Sequence, residues 1–198
     1  MVVDRESWLK RVVEIVEQDI LNEHQASMPE KWEISCGFAG NAKAIGVAFS
    51  NTACKDGETY QIFISPILGN NDKVNLMQTI LHEMLHCVAT IEVGHKGEFK
   101  RLARAIGLEG RLTHTYVSDT NPLAELLLKC YNKVGVEYPH KEIIPEVKEK
   151  KERVKNFVNL VSEDNPEYVV KMKKSVFEAV GVPVDPYGKP MVLVEGDE

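Results

Sequence analysis

Six residues, Leu81-His82-Glu83-Met84-Leu85-His86, constrain this chain more than any other stretch. They place an H-E-x-x-H pattern inside an apolar segment of helical period, with Val74, Met77, Leu81, Met84, Leu85 and Val88 as the stripe. On an α-helix, residues i and i+4 share a face one turn apart. His82 and His86 can therefore offer two imidazole nitrogens to one ion at about 2.0–2.1 Å. Glu83 is turned by about 100° from His82, so it stands beside the ion rather than on it. The fold must set one face of this helix in a core and leave the histidine face open to a cleft. Asn71 or Asp72 can cap the helix start, and Gly94 is expected to end the run and turn the chain back.

A third ligand must come from outside the helix. His95, in Gly94-His95-Lys96-Gly97-Glu98-Phe99, lies where a chain leaving the helix can return to the metal. Glu92 and Glu98 are the competing carboxylates. Ala89 stands where the longer H-E-x-x-H-x-x-G-x-x-H pattern needs glycine, which disfavours Glu92, and Glu98 reads as helix-capping or solvated. A catalytic zinc takes three protein ligands and keeps one exchangeable position, and its water ionises near pH 7. The expected set is His82, His86 and His95 on one Zn²⁺ per chain, with Glu83 as the base that activates the zinc-bound water.

Around this helix the pattern reads as α+β. Residues 6–24 form an amphipathic helix with Leu9, Val12, Val13, Val16 and Ile20 inward. Three short strands follow at 33–38, 44–50 and 60–65, punctuated by Gly37, Gly40-Asn41 and Lys55-Asp56-Gly57 and closed by Pro66. One edge of such a sheet can line the cleft and take an extended peptide as an added strand; the sequence leaves open which edge. Residues 98–106 read as a second, short helix with Phe99, Leu102, Ala103 and Ile106 inward. Lys96, Lys100, Arg101, Arg104 and Arg111 surround it, as a solvated face or as a patch for a phosphate backbone. His114 and Tyr116 are candidates by residue type for stabilising a tetrahedral oxyanion. Asn121-Pro122 opens a helix through Val134, as an N-cap followed by proline at the first helical position. His140 reads as solvent-facing. Residues 146–156 read as a charged linker or solvated helix. The short apolar runs at 157–161, 168–172 and 191–194 suggest a small β-rich appendage.

Composition narrows the function classes. The chain has 198 residues, 43% of them hydrophobic, enough for one core and an appendage. A net charge of −6 argues against a protein built to coat nucleic acid. The cysteines, Cys36, Cys54, Cys87 and Cys130, form no C-x-x-C pair, so neither a disulfide framework nor a cysteine knuckle is expected. No run approaches the roughly 18 apolar residues of a membrane span, and the N-terminus lacks a secretion signal. The expected location is the cytoplasm. No propeptide is evident.

His82-Glu83-Met84-x-His86 followed by Gly94-His95-x-Gly97-Glu98-Phe99 resembles the SprT-like zinc metalloproteases, the group that includes Spartan. The run from Phe99 to Arg111 and the run from Gln61 to Leu68 look especially like the phage and bacterial members. The resemblance covers residues 30–118 well and the tail more loosely. It implies a zincin-like minimal metallopeptidase: an N-terminal helix, a small three-stranded sheet and the H-E-x-x-H helix. It also implies a zinc peptidase with three histidine ligands and a glutamate base, matching His82, His86, His95 and Glu83. Relatives of the Spartan type cut DNA-attached proteins, which makes DNA a candidate partner beside a protein or peptide substrate. For a phage-encoded member the compartment would be the host cytosol. The implied organisation is a metallopeptidase core at 1–118, a helical extension and connector at 119–150, and a zinc-ribbon-like appendage at 151–198. That appendage departs from the family, since Asp185 and Tyr187 occupy the second knuckle where cysteines would be and Ser162–Tyr168 holds none. Two other functions fit the same residues: a zinc-stabilised binding or regulatory module for DNA or nucleoprotein, and an H-E-x-x-H enzyme acting on a non-protein amide.

Overall fold

A computed structural model describes residues 4–38, 44–144 and 156–194. The chain is α+β and divides into two compact units, residues 1–146 and 147–198. The expected turn at Gly40-Asn41 and nearly all of the expected linker at 146–156 lie outside the described residues.

The first unit begins with helix α1 (Arg5–Val16), capped by Asp4, whose carboxylate accepts from the Ser7 N–H at 2.8 Å. Trp8, Leu9, Val12, Val13 and Val16 are fully buried. The sequence suggested one helix through residue 24. Instead a π-turn (Glu17–Leu21) follows, then a 3₁₀ turn (Asn22–His24). Ile20 and Leu21 are both buried in the π-turn and continue the inward face of α1. Gln25, at φ +55°, ends the run.

Strands β1 (Trp32–Cys36), β2 (Gly46–Phe49) and β3 (Tyr60–Ile64) form one sheet in the order β1-β3-β2. β1 runs parallel to β3 and β2 antiparallel to it. Ile34, Ile62 and Ile64 point into the core. The pairing of Gly46 with Ile64 and Ala48 with Ile62 sends those two small residues to the same inner face.

Helix α2 (Lys73–Ala89) is the centre of the unit and packs against α1, β2, β3, α3 (Gly97–Ile106) and α4 (Pro122–Lys133). Asp72 is its N-cap, accepting from the Asn75 N–H at 3.0 Å. Met77, Leu81, Met84 and Leu85 are fully buried, as the stripe required, and so are Leu76 and Ile80. Val74 and Val88 are only half-buried. Each fully buried side chain of this size contributes about 1.5–3 kcal/mol, so neighbours on nearly every side hold the helix. The helix ends earlier than the glycine suggested. Ala89 is its last residue, Thr90 turns the chain at φ +64°, and Gly94 completes the reversal at φ +55° after a 3₁₀ turn (Ile91–Val93). A β-branched residue at positive φ is strained; here it lies just past the helix that carries the two histidines.

A two-stranded hairpin, β4 (Glu109–Arg111) and β5 (His114–Tyr116), follows α3. α4 opens as expected, with Asn121 accepting from the Leu123 N–H and Pro122 in the first turn. It packs on α1 and α2 within the same unit. The segment after it is anchored too: Trp8 packs against Tyr131 and Tyr138, and the Asn70 side-chain amide donates to the Tyr138 carbonyl at 2.8 Å. His140 is therefore not solvent-facing. It is half-buried, and its Nε2 lies 2.8 Å from the Pro66 carbonyl.

The second unit is a three-stranded antiparallel sheet of β6 (Phe157–Val161), β7 (Val169–Lys173) and β8 (Val192–Val194), in the order β7-β6-β8. It also contains a short helix, α5 (Lys174–Val180), that the apolar runs did not suggest. Its two turns are joined by side chains. Ser162 donates to one oxygen of Asp185 at 2.6 Å, and the other oxygen accepts from the N–H groups of Tyr187 and Lys189, both at 2.9 Å. Ser162 and Asp185 are buried. A carboxylate and a hydroxyl thus join the two turns.

Candidate metal centre and catalytic cleft

The three histidines chosen from spacing come together. His82 and His86 lie one turn apart on α2, and the reversal at Thr90–Gly94 brings His95 back over them. His86 Nε2 is 3.2 Å from His95 Nε2, and His95 Nε2 is 3.4 Å from His82 Nε2. Two nitrogens bound tetrahedrally to one ion at about 2.0–2.1 Å would be about 3.3–3.4 Å apart. The donor set therefore fits a tetrahedral metal ion, with all three residues presenting Nε2.

The ring environment supports ligation. Burial pushes His82 down to about 3 and His86 down to about 4, and it also lowers His95. Near neutral pH all three rings are thus neutral, the form that binds a metal. Phe99, buried on α3, packs against all three, with ring centroids 5.1, 4.4 and 4.9 Å from His82, His86 and His95. The inward face of α3 therefore forms the floor of the centre.

Glu83 is set apart from the three histidines. It is buried, and its carboxyl lies against β2. A Cβ at Gly46 would stand 2.6 Å from Glu83 Oε1 and 2.8 Å from its Cγ. Burial raises the Glu83 carboxyl to about 8, opposed by the Ala48 backbone N–H that faces it. A cation held by the neighbouring histidines would favour the ionised form. Gly46 had no signal in the sequence; only the packing of β2 on α2 reveals it.

The cleft has a volume of about 490 Å³, and its walls include Gly46 and Ala48 of β2, the three histidines, Gln78, Ile91 and the tip of the β4–β5 hairpin. The edge strand lining the cleft is thus β2. Gln78 is buried, with its amide nitrogen held by Asn75 and Thr79, while Oε1 has no hydrogen-bond partner among the described residues. His114 lines the cleft with Thr113 and Thr115. Tyr116 does not line it; its ring lies over Gly110 on the hairpin and is largely exposed.

The competing carboxylates stay outside. Glu92 is exposed, and Glu98 forms an ion pair with Arg101 across one turn of α3. The cationic cluster also divides. Arg101 is neutralised by Glu98, and Arg104 donates to the carbonyls of Leu108 at 3.0 Å and Gly110 at 2.7 Å. Lys96, Lys100 and Arg111 are exposed, without an ion-pair partner among the described residues. No family model, curated protein or solved structure matches the chain. No helix among the described residues is long and apolar enough to cross a membrane.

Proposed function

We propose that the chain is a zinc-dependent metallopeptidase of the SprT-like type. The observation that carries this reading is the convergence of three Nε2 atoms beside a buried, non-ligating glutamate on the wall of an open cleft. A purely structural zinc site would be closed by four protein ligands and would need no carboxylate beside it. His82, His86 and His95 would hold Zn²⁺ through Nε2. Bound there, Zn²⁺ supplies Lewis acidity, polarising the scissile carbonyl and lowering the pKa of water.

The chain's own residues do the rest. Glu83 takes the proton of the attacking water and passes it to the leaving amine nitrogen. Its position against Gly46 and Ala48 ties proton transfer to the strand that receives substrate. Among the described residues β2 pairs with β3 alone, so its other edge can pair with an extended peptide. His114 at the cleft wall can donate to the developing oxyanion, whereas Tyr116 is not assigned this role. DNA-bound proteins are the candidate substrate class, with Lys96, Lys100 and Arg111 as the cations available for a phosphate backbone. A cytosolic location agrees with four free cysteine thiols.

The test pairs metal content with turnover. The wild type is expected to bind about one zinc per chain and to cleave an unfolded protein. His95→Ala should lose most of the zinc, and Glu83→Gln should keep it while losing turnover. Full activity in Glu83→Gln would sink the mechanism. Zinc that survives His95→Ala would sink the ligand set. Salt-dependent DNA binding without any proteolysis would favour a binding module instead.

A further inference from the structure

We propose that Thr115 is a positioning residue whose hydroxyl sets the tautomer and orientation of His82, a claim that rests on the metallopeptidase reading for its purpose. Thr115 Oγ1 lies 2.9 Å from His82 Nδ1. A threonine hydroxyl can accept the Nδ1–H, which fixes the lone pair on Nε2. Nε2 is the atom that faces His95. A metal-bound histidine commonly gives its other N–H to such a partner, which orients the ring and raises its basicity.

The two helix histidines differ in this respect. His86 Nδ1 is buried without a hydrogen-bond partner among the described residues, and its ring packs against Phe99. Among the described residues, only His82 of the three has its Nδ1 held by a side chain from another element.

The residue that holds it is itself firmly placed. Thr115 pairs with Gly110 in the β4–β5 hairpin. Arg104 grips the hairpin from α3 through the carbonyls of Leu108 and Gly110, and Glu109 accepts from the Ser118 N–H at 2.7 Å. Arg104 thus has an anchoring task that runs through the hairpin to a metal ligand. Thr115 does not touch substrate atoms by this argument; it acts through His82.

The experiment compares the wild type with Thr115→Val and Thr115→Ser in the full chain, by two readouts. The first is zinc affinity in competition with a chelating dye. Val keeps the β-branched shape without the hydroxyl and should weaken binding about 10–100-fold; Ser keeps the hydroxyl and should bind within about threefold of wild type. The second is the His82 tautomer in the metal-free protein, read by NMR from its ring nitrogens. The wild type and Thr115→Ser should show Nδ1–H, and Thr115→Val a mixture. Unchanged zinc affinity together with an unchanged tautomer in Thr115→Val would overturn the inference. Loss of affinity in Thr115→Ser equal to that in Thr115→Val would also overturn it, because keeping the hydroxyl would then preserve nothing and the effect would be one of side-chain packing. A wild type that binds no zinc but holds His82 in the Nδ1–H form through Thr115 would overturn the metal reading and leave the positioning role standing.

Discussion

Gly46→Ala is the smallest change that tests whether β2 positions the base. A Cβ there would stand 2.6 Å from Glu83 Oε1, 2.8 Å from Glu83 Cγ and 2.8 Å from Thr79 Cγ2. Carbon atoms in good contact lie about 3.5–4.0 Å apart, so the glutamate or the strand must move by roughly 0.7 Å or more. Gly46 sits in an ordinary extended backbone, and alanine meets no strain of its own there. The perturbation is therefore steric and aimed at one carboxylate. A displacement near 1 Å can cost about 100-fold in rate, or about 2.7 kcal/mol in the barrier. Overpacking should also remove about 1–3 kcal/mol of stability.

The assay is steady-state cleavage of a fluorogenic peptide, with zinc content and melting temperature measured on the same preparation. The expected result is kcat down about 10–100-fold with zinc retained. The double variant Gly46→Ala with Thr79→Ser separates the two clashes. Removing Cγ2 relieves the contact with Thr79 but not the contact with Glu83, and the serine hydroxyl can still donate to the Asn75 carbonyl as Thr79 does. Stability should recover in part, and activity should not. Wild-type kcat in Gly46→Ala, alongside an inactive Glu83→Gln, would refute the argument that β2 sets the position of the base.

Four other substitutions have expected outcomes. Asp185 is held below its ordinary value, chiefly by the Ser162 hydroxyl and the Lys189 N–H; its stabilisation is present above its unfolded pKa near 3.8 and is lost as pH falls through the lower folded value. Hydrogen-exchange protection factors in β6 and β8 should therefore fall below about pH 4, and Asp185→Ala should show the lowered protection already at pH 7; equal protection in that variant would contradict the clasp. Asp72→Ala removes the α2 N-cap and should cost about 1 kcal/mol in thermal unfolding, with the zinc stoichiometry unchanged. Lys100→Met should lower DNA affinity and its salt slope without touching zinc binding, whereas Arg104→Met should weaken zinc binding by freeing the hairpin; the reverse pattern, read by fluorescence anisotropy and chelator competition, would undo the division of the cationic cluster.

The sequence by itself determined the α+β class, the central helix and the identity of the three converging imidazoles. The reason is local. Helical spacing fixes where His82, Glu83 and His86 point, and a chain reversal within a few residues gives His95 no distant place to go. The same locality exposed the Asn121 cap and narrowed the α2 cap to Asn71 or Asp72, because a cap and its helix are adjacent in sequence. Gly46, Thr115 and Gln78 were illegible for the opposite reason. Each matters through an element that packs against α2, or through a partner it lacks, and neither leaves a periodic trace. The five cations looked alike as a cluster; tertiary structure separated Arg101 and Arg104, which already have partners, from Lys96, Lys100 and Arg111. The hydrogen bond from Ser162 to the buried Asp185, 23 positions away, likewise left no local trace. Side-chain spacing along one helix is encoded in the sequence, whereas the choice of edge strand, the wall behind the base and the partner of a ring nitrogen depend on long-range packing, which only the folded chain decides.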